Sequence, residues 1–271
     1  MDSVTQSALI ALIGLIAGLV GGLTGLGGSI IILPGLAILV GYANETHTEQ
    51  HTYQAAAMAV NFLVAVPAVW RHTNAGAVRK DLLVLLLPPA VVCIVIGVLV
   101  SDRIQGDVLV KILAVVIAVM VVSGEISNRL RTKEPSGLDD TSRIRRATPA
   151  IFGTSVTTGF LAGLLGVGGG VTTVTGLQVL GKIPIRQAIA ASAALMCLTA
   201  PVGAIVKMST LDQHNQSAID AITLVGLLGP AAVIGSLTGS WLVHKLPVKI
   251  VRPIVSLVLL AAAAKLGGLI G

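Results

Sequence analysis

GLTGLGGS, residues 22–29, puts four glycines into eight positions in the middle of a long apolar, helix-like stretch. Glycine is among the poorest helix formers, costing about 1 kcal/mol per residue relative to alanine. Its concentration here asks for a reason other than helix continuity. A second copy, GLLGVGGG at 163–170, asks the same question.

Around both copies the chain is apolar. Of 271 residues, 54% are hydrophobic and 11% charged, with a mean hydropathy of +0.93. A soluble domain needs more polar surface than that, so the composition excludes a soluble enzyme or binding module. Runs such as 82–100 and 108–125 approach the ~20 apolar residues that cross a bilayer as a helix. Period-two alternation is absent, which excludes a barrel. The opening MDSVTQSALIALIG has an acid and no Lys or Arg before its apolar run, so the first segment is expected to be retained rather than cleaved. Cys93 and Cys197 lie within apolar runs and are expected as buried small hydrophobes. The net charge of +6 comes from loops between runs and points to membrane topology, not nucleic acid.

The long polar stretch 127–147 separates residues 1–126 from 148–271, with five apolar runs on each side. Shifting by 141 lays residues 14–36 on 155–177 with eight identities in 23 positions, six of them glycine. Shifting by 142 lays 88–97 on 230–239 and matches Pro88 to Pro230 and Gly97 to Gly239. Two matches in one order indicate duplication.

Loop charge then sets the topology. If the paired runs within 8–41 and 149–181 each enter and leave on one side, fourteen of the eighteen basic residues share a face, in loops 71–81, 127–147, 182–187 and 244–252. One continuous span per pair would give eleven against seven. The positive-inside bias selects the first arrangement, with both termini outside the cytoplasm. Each half then makes an odd number of crossings, which inverts one repeat relative to the other. The expected fold is therefore an all-α polytopic membrane protein of two inverted repeats, each of five helical segments with a Gly-rich broken or re-entrant pair.

Runs 29–41 and 170–181 reach only ~20 Å at 1.5 Å per residue, short of a full crossing. Gly25, Gly27 and Gly28, with Gly166, Gly168 and Gly169, are expected to break the helix near mid-membrane, with positive φ. A half-helix starting after each break, at Ser29 and Gly170, presents unpaired N–H groups and the positive end of its dipole. Two such ends make an anion site, with Thr24, Ser29, Thr172 and Thr173 as hydroxyl donors and Asn61 and Ser192 as further polar contacts. The upstream Gly14, Gly18 and Gly22, with Ser155, Gly159 and Gly163, have the small-xxx-small spacing of close helix packing. Lys207, Asp220, Glu125, His244 and Lys265 fall near run ends, where exposure or snorkelling is expected, so dipoles and hydroxyls carry the anion.

The paired glycine motifs, the basic linker and the later Pro-x8-Gly segments resemble the TauE/SafE family of membrane transporters over nearly the whole chain. His72 and Gly76 also fit that family's His-x3-Gly pattern. The family's Thr-Ser pair stands here as Ala56-Ala57 and Ala191-Ser192, and the Pro after the glycine motif is Pro34 in one half and Thr175 in the other. The resemblance implies secondary transport, in the cell inner membrane, of a sulfur oxyanion such as sulfite or an organosulfonate. From the residues themselves, no cofactor, no catalytic residue and no resident metal are expected. The expected partners are the small anion and the lipid bilayer, with a homo-oligomer compatible.

Two rival functions remain from the residues. Glu45, His47, Glu49 and His51 are clustered, with the two histidines at i and i+4, a pattern that could serve a divalent metal-ion transporter. A non-transporting membrane scaffold is the other, although it gains nothing from broken helices. Enzymatic chemistry is not expected, because no span holds paired acids or a nucleophile with its base.

Overall fold

A computed structural model describes residues 3–25, 27–129, 140–242, 257 and 259–268. Among the described residues the regular secondary structure is helical. In chain order they form α1 (Ser3–Thr24), α2 (Ser29–Leu39), α3 (Glu49–Asn74), α4 (Lys80–Ser101) and α5 (Gly106–Arg129). After these come α6 (Asp140–Leu165), α7 (Gly170–Val179), α8 (Ile185–Ser209), a 3-10 turn (Leu211–His214) and α9 (Ala218–Leu242). Among them, α1, α3, α4, α5, α6, α8 and α9 contain stretches long and apolar enough to cross a membrane. With 11 and 10 residues, α2 and α7 are too short to do so. Within the expected linker, residues 130–139 lie outside the described residues, and α6 already begins at Asp140, with Ile144 and Ala147 packed into the core. The loop 244–252, His244 and residues 250–256, 258, 269 and 270 of run 250–270 also lie outside them.

The outside of the bundle is apolar: Leu99, Val115, Val119, Ile205, Ile219 and Leu237 are exposed. Inside, Gln50, Gln54, Asn61, Ser192 and Lys207 are buried. This distribution suits a molecule whose solvent is lipid, since only the interior can satisfy polar groups there. Cys93 and Cys197 are free thiols at half-buried positions rather than fully buried ones, because their helices turn those faces partly outward.

Packing is exchanged between the halves. The α1 helix lies along α9, and α6 lies along α4. A Cβ added at Gly18 would collide with the carbonyl of Ala232, and one at Gly22 with that of Ser236. In the other half, Gly159 lies against the Ala90 carbonyl and Gly163 against that of Ile94. The upstream glycines are therefore contact surfaces, as their spacing anticipates, and Ser155 joins them by donating a hydrogen bond to the carbonyl of Leu86. Replacing Gly18 by valine is expected to separate α1 from α9, because backbone cannot yield as a side-chain tip does. Overpacking of this kind costs roughly 1–3 kcal/mol or more. A fall in melting temperature in detergent, without change in Gly226→Val, whose added Cβ meets only open space, is the check.

Candidate functional site

The two glycine tracts interrupt the helix where the sequence places the interruption. Gly25 and Gly27 have φ of 68° and 86°, and Gly166, Gly168 and Gly169 have 75°, 67° and 67°. These left-handed values are open to glycine and costly to residues with a Cβ. Gly28, expected with them, is instead right-handed at φ −85°, because it already caps the start of α2. After each tract a short helix starts at Ser29 or Gly170. Thr24 ends α1; its side chain lies outside the described residues.

Both breaks meet the same pair of side chains, Asn61 of α3 and Met196 of α8. A Cβ at Gly27 would stand 2.8 Å from the Met196 sulfur and 3.1 Å from Asn61 Oδ1. One at Gly168 would stand 2.5 Å from Asn61 Nδ2 and 3.1 Å from the same sulfur. On one flank, Gly25 faces Ile189 of α8; on the other, Gly166 faces Gln54 of α3. Ser192 spans the breaks, its Oγ 3.3 Å from the carbonyls of both Gly25 and Gly170.

Asn61 does more than bridge helices. Its Oδ1 accepts hydrogen bonds from the backbone N–H of Gly28 and of Ser29, each at 3.0 Å. It thereby takes two of the amides that the start of α2 leaves without intrahelical partners. The amides expected to stand bare are covered in this conformation by a neutral carbonyl oxygen. The other side of that amide group, Nδ2, is buried with no hydrogen-bond partner, and so is the hydroxyl of Ser29. Two unused donors thus lie beside two amides held by an exchangeable acceptor. The start of α7 is built differently. Thr172 and Thr173 both direct their hydroxyls to the carbonyl of Gly169, at 2.8 and 2.9 Å, and Thr158 is 3.2 Å from each. The hydroxyl of Thr172 is therefore engaged locally.

A second polar cluster corrects the reading of Lys207. Exposure near a helix end is expected for it, yet its side chain is fully buried. The chain ends of α4 and α8 and the first turn of α3 close around it. Its ammonium meets Asp102 Oδ1 at 2.6 Å, His51 Nδ1 at 2.7 Å and Ser101 Oγ at 3.1 Å, one acceptor for each of its three protons. His214 stacks on His51 with ring centroids 3.6 Å apart. Donor atoms of His51, Asp102 and His214 lie within 4.8 Å of one another, as metal ligands do. The Lys207 ammonium already holds two of those three residues, so a cation is in place without a metal. His47 takes no part; it stacks on Tyr42, with centroids 4.1 Å apart. The i, i+4 pair of histidines thus divides between two environments.

The sequence profile described as Sulfite exporter TauE/SafE matches residues 10–266. The chain is similar to the probable membrane transporter protein MamO of Magnetospirillum gryphiswaldense, 24% identical over 95% of this chain and 44% of the relative. It is similar to MamO of Paramagnetospirillum magneticum, also 24% identical, over 97% of this chain and 45% of the relative. A probable membrane transporter protein of Methanocaldococcus jannaschii is 24% identical over 76% of this chain and 74% of the relative. The chain spans less than half the length of the two MamO proteins. No solved structure matches it.

Proposed function

This chain belongs to the sulfite exporter TauE/SafE family, and on that premise we propose that it is a secondary transporter of a small anion, bound where its two glycine breaks meet. The substrate class is a sulfur oxyanion, sulfite or an organosulfonate. The relatives named above as probable membrane transporters support transport. The observation that carries the site is Asn61: one face of its amide group covers the first amides of α2, and the other is an unpartnered donor beside Gly168. An oxyanion can take the place of Oδ1 on those amides and also accept from Nδ2 and the Ser29 hydroxyl, once the Asn61 side chain turns. Dipoles and neutral donors hold an anion without the deep binding that a buried Arg would give, and so let it leave.

The exchanged packing supports inverted repeats moving against each other in alternating access. Gly18 on Ala232 and Gly159 on Ala90 are the same contact with the halves interchanged, as are Gly25 on Ile189 and Gly166 on Gln54. The positive charge of the basic loops supports a cytoplasmic position for the face bearing residues 71–81 and 182–187, with both termini on the other side of the cell inner membrane.

Asn61→Asp tests the reading. A carboxylate on the α2 amides is held by the dipole and mimics bound anion. Sulfonate flux into proteoliposomes is expected to fall at least ~10-fold, and the anion-induced rise in melting temperature expected of the unmodified protein is expected to be absent from the variant. Unchanged flux and an unchanged anion-induced rise in Asn61→Asp would remove Asn61 from the site.

A further inference from the structure

The Lys207 cluster sits at the end of the bundle opposite the basic loops, and nothing in the anion site uses it. Four segments meet there: the start of α3 through His51, the end of α4 through Ser101 and Asp102, the end of α8 through Lys207, and the 3-10 turn through His214. Just beyond the turn, Gln216 accepts from Thr52 of α3 at 3.0 Å. Ionisable groups inside a membrane bundle are expensive to keep and commonly functional.

We propose that His51, Asp102, Lys207 and His214 form a proton-operated latch that closes this end of the passage and is linked through Ser101 and Gln54 to the second glycine break. It rests on the transport reading above. The link is a continuous run of buried hydrogen bonds. Lys207 donates to Ser101 Oγ at 3.1 Å, Ser101 donates to Gln54 Oε1 at 3.1 Å, and Gln54 Nε2 donates to the carbonyl of Leu164 at 3.2 Å. Leu164 lies two residues before Gly166, whose added Cβ would touch Gln54 Cα at 3.1 Å.

His214 is where a proton enters. Its side chain is 14% exposed, against 0% for Lys207 and 5% for Asp102. Its Nε2 has no hydrogen-bond partner and lies 3.6 Å from Asp102 Oδ1, which Lys207 already holds. The groups facing it are His51 from α3, Asp102 after α4 and Lys207 from α8. A proton taken from water on this face would set a second cation beside Lys207, with one carboxylate to share between them. Burial, and then the Lys207 ammonium, hold the His214 imidazole below its usual pKa, while Asp102 opposes them. A base with a lowered pKa in the closed form gives stability that is present at higher pH and is lost as pH falls through its ordinary value near ~6.5. Acid on this face therefore releases the turn and opens the latch, and reclosing returns the proton to water.

The test uses the whole protein in proteoliposomes and a labelled alkylsulfonate, whose own charge does not change over the range. Lowering pH from about 7.5 to about 5.5 on one face at a time is expected to raise flux several-fold from the latch face only. His214→Asn is expected to keep the flux of the unmodified protein at the higher pH and to flatten the response. Its melting temperature should also fall less on acidification. Matching pH profiles in the two proteins would overturn the latch and leave the transport reading intact. No flux at any pH would sink the transport reading and take the latch with it. A rise in melting temperature with zinc alone, lost in His51→Ala, would show that the donors hold a metal and would also overturn the latch.

Discussion

Gly168→Val is expected to abolish anion transport while the protein remains in the membrane, and Gly27→Val is expected to do the same. Two costs coincide at each position. A β-branched residue is forced to a φ of 67° or 86°, a left-handed conformation that costs ~1–2 kcal/mol or more. The first carbon of the new side chain then lands 2.5 Å from Asn61 Nδ2 at Gly168, or 2.8 Å from the Met196 sulfur at Gly27. The neighbours are ends of flexible side chains, so the fold can yield, but only by turning Asn61 away from the α2 amides or filling the space beside them. Flux in proteoliposomes, normalised to inserted protein, is the measurement. Gly124→Val and Gly226→Val, where an added Cβ meets nothing within 4 Å, serve as controls with flux unchanged. Normal flux in both Gly168→Val and Gly27→Val would count decisively against the site.

The other large effect lies in the polar cluster. Lys207→Met removes a cation that satisfies Asp102, His51 and Ser101 at once. It leaves a carboxylate whose side chain is 5% exposed with no counter-charge. Breaking a buried ion pair from one side costs roughly 3–5 kcal/mol, mostly the cost of the charge left behind. The double variant Lys207→Met with Asp102→Leu removes that orphan and is expected to recover most of the loss. A double-mutant cycle on melting in detergent reads the coupling directly. Additive losses would mean that the two charges do not depend on each other.

The discontinuities were legible because their physics is local. Only glycine accepts repeated positive φ at no cost, and a run of 12 or 13 residues cannot cross a bilayer whatever its neighbours do. The contact glycines were legible for a similar reason, since spacing of four puts them on one helix face. Asn61 was visible as an intramembrane polar residue, but its partners at Gly28 and Ser29 are 33 and 32 positions away. No periodicity connects them. Gln54 and Met196 were missed altogether: in the register that lays Ala56-Ala57 on Ala191-Ser192, Ile189 falls opposite Gln54 and Met196 opposite Asn61, so the polar member of each pair has an apolar counterpart and the internal similarity gives no sign of it. The pairing Thr52-to-Gln216 crosses 164 positions and Lys207-to-His51 crosses 156. Hydropathy judged Lys207 by its distance from a helix end. Its environment depends instead on where the ends of three other segments fall, which is tertiary information.

The interchange of partners between the halves bears on how the chain is made. Gly18 must find Ala232, about 200 residues further along, and at ~5–20 residues per second that is a delay of roughly 10–40 s of synthesis. Until then the glycine stripe of the first helix has no groove to fill, and neither half separately translated contains its own mate. Fragments severed near residue 130 and produced together should reassemble, whereas each alone should be cleared by quality-control proteases.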